Sequence, residues 1–293
     1  MIPTAFSRSL SEVAAPYSAL LCDVWGVLHN GLTAYPQASQ ALVKFREETG
    51  SPVVLITNAP RVNTKIIEHI TSMGIPQEAY DGVVTSGDVV RLDLITSGFT
   101  RIYHIGLEKN HSLFSGLEHQ FTHYDDAEIV VCTGLNERDT ETPENYRGLF
   151  EKLIARGLAF VCANPDIVAE HGDRLVYCAG ALAQLYAQMG GRVVISGKPH
   201  APIYDACLLK LKEITGKTFS KKEVLTIGDG LPTDITGAQA YGLDALFVCN
   251  GIHAEDFGSN EGSGEEFTPE LHLVQDKLRQ EGLKARALIP RLI

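Results

Sequence analysis

No stretch of this 293-residue chain approaches the run of about 18 apolar residues that a membrane-spanning helix needs, so no span is expected. Residues 1–11 lack the basic start and apolar centre of a secretory signal, which points to the cytoplasm. Basic charge is in short supply, because 25 Lys and Arg against 36 Asp and Glu leave a formal net charge of −11. That balance excludes nucleic acid and anionic membrane as partners, since basic charge drives both. A local basic pocket for a small anion stays open. The cysteines (Cys22, Cys132, Cys162, Cys178, Cys207, Cys249) show no CxxC spacing. Cys22, Cys132 and Cys162 close apolar runs, so buried free thiols in a reducing compartment are expected rather than a metal site. No short internal repeat and no Pro- or Ser-rich linker marks a boundary. The length allows one large domain or two moderate ones.

What the sequence has is alternation of strand and helix patterns. Tyr17 to Cys22 is an apolar run ending in turn chemistry, the pattern of a buried parallel strand, and it carries Asp23 at its C-terminal end. Pro36 to Glu48 places Ala38, Ala41, Leu42 and Phe45 at helical spacing and ends at Gly50. Pro52 to Asn58 reads as a second strand, and Arg61 to Met73 as a helix stopped by Gly74. Val83 to Asp88 is a third strand, with Ser86 or Asp88 capping a helix to about Thr96. This order is that of a parallel sheet covered by helices. The pattern resumes with strands at Arg101 to Ile105, Glu128 to Cys132, Leu158 to Cys162, Arg192 to Ser196, Glu223 to Ile227 and Ala245 to Val248. Helices are expected at Pro143 to Ala155, capped by Thr142, and at Ala179 to Met189. Others run from Pro199 to about Thr215, Thr233 to Tyr241 and Pro269 to about Gln280, the last after a Gly/Ser/Glu-rich loop, Gly258 to Glu266. Two α/β units, the second inserted in the first, fit this count as well as one long sheet.

Four predicted strand ends present polar groups followed by glycine or a turn: Asp23, Thr57-Asn58, Gly197-Lys198-Pro199, and Gly228-Asp229 through Thr233-Asp234. Singly, each has a plain structural explanation. Asp23 ends a strand, Thr57-Asn58 caps a helix, Lys198 is solvated, and Asp229 and Asp234 serve a turn and a cap. Taken in the order acid, hydroxyl, lysine, acid pair, they fit phosphoryl chemistry. Magnesium takes oxygen ligands, which Asp23 and Asp229 supply while Asp234 positions ligand waters. A carboxylate such as Asp23 also attacks phosphorus to give an aspartyl phosphate that water hydrolyses. Lys198 and the metal screen the repulsion between that carboxylate and the phosphate. The Thr57 hydroxyl and the amide of Asn58 bind a phosphoryl oxygen.

Five segments carry a resemblance: DVWGVLHNG (Asp23 to Gly31), VLITNAPR (Val54 to Arg61), CANPD (Cys162 to Asp166), GKPHAPIYD (Gly197 to Asp205) and IGDGLPTDITGAQAYGLDALFV (Ile227 to Val248). In this order, over almost the whole chain, they resemble the motifs of the haloacid dehalogenase (HAD) superfamily, subclass IIA. The resemblance implies an α/β fold: a Rossmann-like core with a parallel sheet, residues 1–85 and 190–293, and an inserted α/β cap over 86–189. It implies a magnesium-dependent phosphohydrolase acting on a small phosphorylated metabolite such as a sugar phosphate or nucleotide. Asp23 would be the nucleophile, Thr57 a phosphate ligand, Lys198 the phosphate-side cation, and Asp229 with Asp234 the magnesium acids. The backbone carbonyl of Trp25 would be a further metal ligand. Asn164 and Asp166 fall in the substrate-facing cap loop, and the cap's outer surface offers a homodimer face by analogy.

One departure from the pattern matters. The first motif is ordinarily D-x-D, whose second carboxylate protonates the leaving oxygen and then activates water; here Trp25 stands in its place. Indole exchanges no proton near neutral pH, and such a general acid is worth about 10²–10⁴ in rate. Trp25 reads instead as a hydrophobic wall, a stacking surface or a packed aromatic. His29, in the loop after Asp23, is the candidate replacement acid/base, with a surface histidine as the plainer reading; His200 is a second imidazole close to a motif. Two other classes compete with a phosphatase: a phosphate-ligand-binding or regulatory protein that has lost turnover, and a C–halogen or C–P hydrolase. Retention of Asp23, Thr57, Lys198, Asp229 and Asp234 favours an enzyme, because a binder needs no nucleophile.

Overall fold

A computed structural model of the protein describes residues 3, 5–171, 174–258 and 268–293, so the Gly/Ser/Glu-rich loop lies, beyond Gly258, outside the described residues. In chain order the strands are β1 Ala19–Asp23, β2 Val53–Thr57, β3 Gly82–Thr85, β4 Arg101–Ile105, β5 Gln120–Phe121, β6 Ile129–Cys132 and β7 Phe160–Cys162. They continue with β8 Val168–His171, β9 Arg174–Tyr177, β10 Val193–Ile195, β11 Val224–Gly228, β12 Asp244–Val248 and β13 Ala287–Ile289. They form two main sheets rather than one long one. The chain divides into two compact units, Met1–Thr57 with His69–Val84 and Tyr204–Ile293, and Asn58–Glu68 with Thr85–Ile203.

The first unit is built on a six-stranded sheet of order β13-β12-β11-β1-β2-β3. Its centre is β1, parallel to β11 on one side and to β2 on the other, with Cys22 opposite Ile227 and Asp23 opposite Ile56. Every residue of β1, β2 and β11 is buried. That explains why these strands read as continuous apolar runs instead of alternating ones: helices cover both faces of a parallel sheet. The same register brings the C-terminal ends of β2, β1 and β11 side by side.

The second unit holds a five-stranded sheet of order β10-β7-β6-β4-β5, parallel throughout, and the antiparallel hairpin β8-β9. Its core on one face is aromatic. Phe160 stacks on Tyr186 with ring centroids 4.9 Å apart, and Phe150 meets the same ring edge-on at 5.2 Å. The buried Tyr186 hydroxyl is satisfied by donating to the Leu158 carbonyl at 2.8 Å. Among the described residues no helix is long and apolar enough to cross a membrane.

Several expectations move. The strand expected at Arg192 to Ser196 forms, but as β10 it pairs with β7 in the five-stranded sheet. The second unit therefore runs past the expected boundary at 190 to Ile203. Thr85, rather than Ser86 or Asp88, caps the helix Ser86–Ser97: its Oγ1 accepts the Asp88 N–H at 2.8 Å, while Asp88 accepts the Thr85 N–H at 3.3 Å. The helix expected from Pro143 begins as a 3₁₀ turn, Pro143–Tyr146, and becomes α-helical only over Arg147–Ala155. The hairpin β8-β9 and the edge strand β13 were not expected, because short half-buried or three-residue strands carry no periodic signal.

Two measurements follow from the packing. On β4, His104 Nε2 lies 2.8 Å from Thr133 Oγ1 and Nδ1 lies 3.3 Å from His111 Nε2. Burial, then the neighbouring His111, push the His104 imidazole down to about 4. A depressed histidine contributes stability above its unfolded value of about 6.5 and loses it as pH falls towards about 4. The loss should reach about 2 kcal/mol at pH 5. Urea midpoints of wild type should therefore fall between pH 7 and pH 5, and His104→Gln, which still reaches Thr133, should remove that share of the slope. All six cysteines are buried and free, and burial pushes Cys132 up to about 12. A thiol reagent at pH 8 should label none of them until denaturant is added.

Candidate active site

Asp23, Asp229 and Asp234 converge at the ends of the central strands of the first unit. Asp23 is the last residue of β1 and Asp229 the first after β11. Asp234 comes back on a π-helical turn, Leu231–Ile235, in which the Ile235 N–H donates to the Gly230 carbonyl at 3.1 Å. Extra-wide turns of this kind are rare, and those that occur are frequent at functional sites. All three carboxylates are buried, and each offers an oxygen within 4.8 Å of the others. Backbone donors fix them: the Ile252 N–H reaches Asp229 Oδ2 at 2.8 Å, and the Gly230 N–H reaches Asp234 Oδ2 at 3.1 Å. Gly26 completes the cradle. Its φ is +77°, and a Cβ there would lie 1.9 Å from Asp229 Oδ2, so no other residue fits. Two unit charges 4 Å apart repel by about 4 kcal/mol at an effective dielectric of 20. Three oxygen donors packed this closely suit a hard divalent cation. Thr57, the last residue of β2, ends beside Asp23 and is buried.

Trp25 and His29 share the loop after Asp23. The Trp25 indole is held between two imidazoles of the first unit, edge-on to His29 at 4.2 Å and stacked on His69 at 5.7 Å. The loop closes on itself, with the Gly26 N–H donating to the His29 carbonyl at 2.8 Å. His29 does not fit the acid/base role expected of it. It is fully buried, and Nδ1 accepts the Gly31 N–H at 2.8 Å, which leaves the proton on Nε2. Burial, then His69, push this imidazole down to about 3, so at neutral pH it is neither a charged acid nor an effective base. His200 lies on the surface.

The second unit assembles Asn58, Asp166 and Lys198. The Asn58 side chain reads both backbone groups of Lys198, accepting its N–H at 2.8 Å and donating to its carbonyl at 3.1 Å, and donates as well to Asp166 Oδ1 at 2.8 Å. With the side chain spent in this way, any phosphate contact by Asn58 falls to its backbone N–H. Asn164 forms a turn, its Oδ1 accepting the Asp166 N–H at 3.1 Å. Its side chain therefore holds the loop's shape instead of reaching outward. Gly197 is needed for close approach: a Cβ would lie 2.6 Å from Asn58 Oδ1 and 2.7 Å from Ser86 Oγ. Lys198 itself is buried. Sequence reasoning missed His69, whose place beside Trp25 had no local signal, and the segment Asn250-Gly251-Ile252 that holds Asp229. The latter was findable, since Asn-Gly directly after a strand is turn chemistry of the same kind as at the other strand ends.

Comparison with known proteins shows the family of the chain. Residues 20–119 match a family model described as haloacid dehalogenase-like hydrolase, and residues 195–278 one described as HAD-hydrolase-like. The crystal structure of a hydrolase of the haloacid dehalogenase-like family from Brucella suis 1330 is similar at 42% identity, covering 98% of this chain and 100% of that one, with a TM-score of 0.86. The ribonucleotide monophosphatase NagD of Escherichia coli is 26% identical over 241 residues, 81% of this chain and 89% of its own. The 5'-nucleotidase YutF of Bacillus subtilis is 25% identical over 251 residues, 80% of this chain and 88% of its own.

A divalent cation at 100 times its dissociation constant should stabilise the wild type by about 2.7 kcal/mol, read as a rise of several degrees in melting temperature. Asp229→Asn should lose most of that rise. Without metal it should melt at or above wild type, because one repelling charge is gone. An equal metal-induced rise in both proteins would show that the cation binds elsewhere.

Proposed function

We propose that this chain, which belongs to the haloacid dehalogenase-like hydrolase family and to its subclass IIA, hydrolyses small phosphate monoesters such as sugar phosphates or nucleotides, with magnesium as its cofactor. The observation that carries the proposal is the buried Asp23–Asp229–Asp234 cluster at the ends of β1 and β11, within 4.8 Å. The similar NagD and YutF proteins, named as nucleotide phosphatases, support the reaction class.

One carboxylate oxygen of Asp23 attacks phosphorus, the bond from phosphorus to the ester oxygen breaks, and the alcohol leaves after taking a proton. Water then attacks the aspartyl phosphate, releasing inorganic phosphate and restoring the Asp23 carboxylate. The Thr57 hydroxyl, the Asn58 backbone N–H and the Lys198 ammonium hold the phosphoryl oxygens and offset the charge that builds on them. Asp229, Asp234, Asp23 and the Trp25 carbonyl would hold the magnesium ion, which would supply positive charge against the phosphate. The second unit is assigned the part of a cap, selecting the leaving group and excluding water.

Trp25 sets the rate in this reading. No carboxylate stands two residues after Asp23, and His29 is neutral and enclosed, so the leaving oxygen takes its proton from water or from the substrate. Turnover is therefore slow for alkyl leaving groups and faster for acidic ones such as 4-nitrophenol. The same absence favours the second reading, a phosphate-ligand-binding protein without useful turnover.

Phosphate release should be measured with magnesium over 4-nitrophenyl phosphate, sugar phosphates, nucleotides and pyridoxal phosphate, for wild type, Asp23→Asn and Trp25→Asp in parallel. Wild type should exceed Asp23→Asn on at least one substrate. Trp25→Asp should gain up to about 10²-fold on alkyl phosphates, the low end of what a general acid supplies. No release above the Asp23→Asn background on any substrate would leave the binding reading in its place.

A further inference from the structure

One buried polar residue of the first unit has no part in the chemistry assigned above. His29 is fully enclosed, and its Nε2 is a buried nitrogen without a hydrogen-bond partner. A buried polar side chain is ordinarily satisfied at every such atom. Leucine or phenylalanine would fill the same space without an orphaned N–H. What imidazole offers that these do not is an acceptor at Nδ1, and the Gly31 N–H takes it at 2.8 Å.

That bond lies at the closure of a small loop. The Leu28 N–H donates to the Val24 carbonyl at 2.9 Å, the Gly26 N–H to the His29 carbonyl at 2.8 Å, and the Tyr35 N–H to the Leu28 carbonyl at 2.7 Å. The His29 backbone bridges to Trp25 and to Ala34. Its ring stands steeply inclined to both aromatic neighbours, 4.2 Å from the Trp25 centroid and 5.6 Å from that of His69. Side chain and backbone of one residue thus close the turn from Trp25 to Gly31.

The Gly26 N–H and the Trp25 carbonyl belong to one peptide unit, which is planar and trans, so the two point in opposite directions. With the N–H committed to His29, the carbonyl is turned to the other side of the loop. Gly26 itself lies against Asp229, since a Cβ there would fall 1.9 Å from Asp229 Oδ2. The direction of the Trp25 carbonyl, next to the acidic cluster, is therefore set by where His29 sits.

We propose that His29 is a positioning residue for the cation site: its Nδ1 and its buried ring hold the turn closed, and the closed turn aims the Trp25 carbonyl at the cation shared by Asp23, Asp229 and Asp234. This deepens the reading that assigns that carbonyl to magnesium, and it rests on that reading. A residue that only fills space can be exchanged for an apolar side chain without effect on the cation. A positioning residue is replaced only by another acceptor at the same place. Asn fits, because its Oδ1 is bonded to Cγ as Nδ1 is, whereas the acceptor of Gln stands one bond further out.

The test is the magnesium dissociation constant of the full chain, taken from melting temperature against magnesium concentration, for wild type, His29→Asn, His29→Gln and His29→Leu. Asn should stay within about threefold of wild type, and Gln and Leu should weaken binding by about 10-fold or more, as loss of a supporting contact does at metal sites. Metal-free melting temperatures near that of wild type show an intact fold. Trp25 is the sole tryptophan, so the decay of its fluorescence anisotropy reports on the turn: the fast component should grow in the Gln and Leu variants and not in Asn. If Leu does not fold, the contrast between Asn and Gln decides. Gln or Leu binding as tightly as wild type, Asn binding as weakly as Leu, or a wild type that binds no magnesium would each overturn the assignment. If the affinities follow the expected order while wild type releases no phosphate from any ester, the phosphatase reading falls and His29 keeps its role.

Discussion

Three carboxylates held within a few ångströms of one another are the constraint on which the rest of the first unit depends. Mutual repulsion of this size would scatter them if they sat on mobile loops. The fold instead places two of them at the ends of adjacent buried strands, β1 and β11, where the ladder leaves little freedom, and brings the third in on a π-helical turn. Backbone N–H groups at Gly230 and Ile252 point at two of the three, and Gly26 makes way for a carboxylate where any side chain would collide. The backbone donors offset part of the repulsion, and the buried apolar sheet behind the cluster offsets the rest.

Much of this was legible in the sequence, and for a physical reason. A parallel strand covered on both faces is a continuous apolar run, so β1, β2 and β11 announced themselves, and the residue that ends each run sits at the functional end of the sheet. Asp23, Thr57 and Asp229 were readable as strand ends before anything was known of their neighbours. Pairing was not. Whether Arg192 to Ser196 joined the first sheet or the second depends on which strand lies beside it, and an apolar run carries no address. Burial was not legible either. His29 looked like a loop histidine open to a ligand, but it is enclosed by Trp25 and His69, the latter forty residues further along the chain.

The surroundings of Trp25 show how an indole shapes its neighbourhood. A carboxylate at this position would want polar company and water. An indole there instead has an imidazole on its face and another at its edge, and the second is held uncharged by the same enclosure. The residue two places after Asp23 is thus a packed aromatic and not a carboxylate.

The Asn58 side chain holds Lys198 by the backbone, across a sequence separation of 140. Whatever folds between these two points, two hydrogen bonds from the Asn58 side chain to the Lys198 backbone join them, and a third ties Asn58 to Asp166. The interval therefore behaves as a loop with sealed ends, and lengthening such a loop costs free energy only logarithmically. The interval can thus grow or shrink while the contact between Asn58 and Lys198 persists.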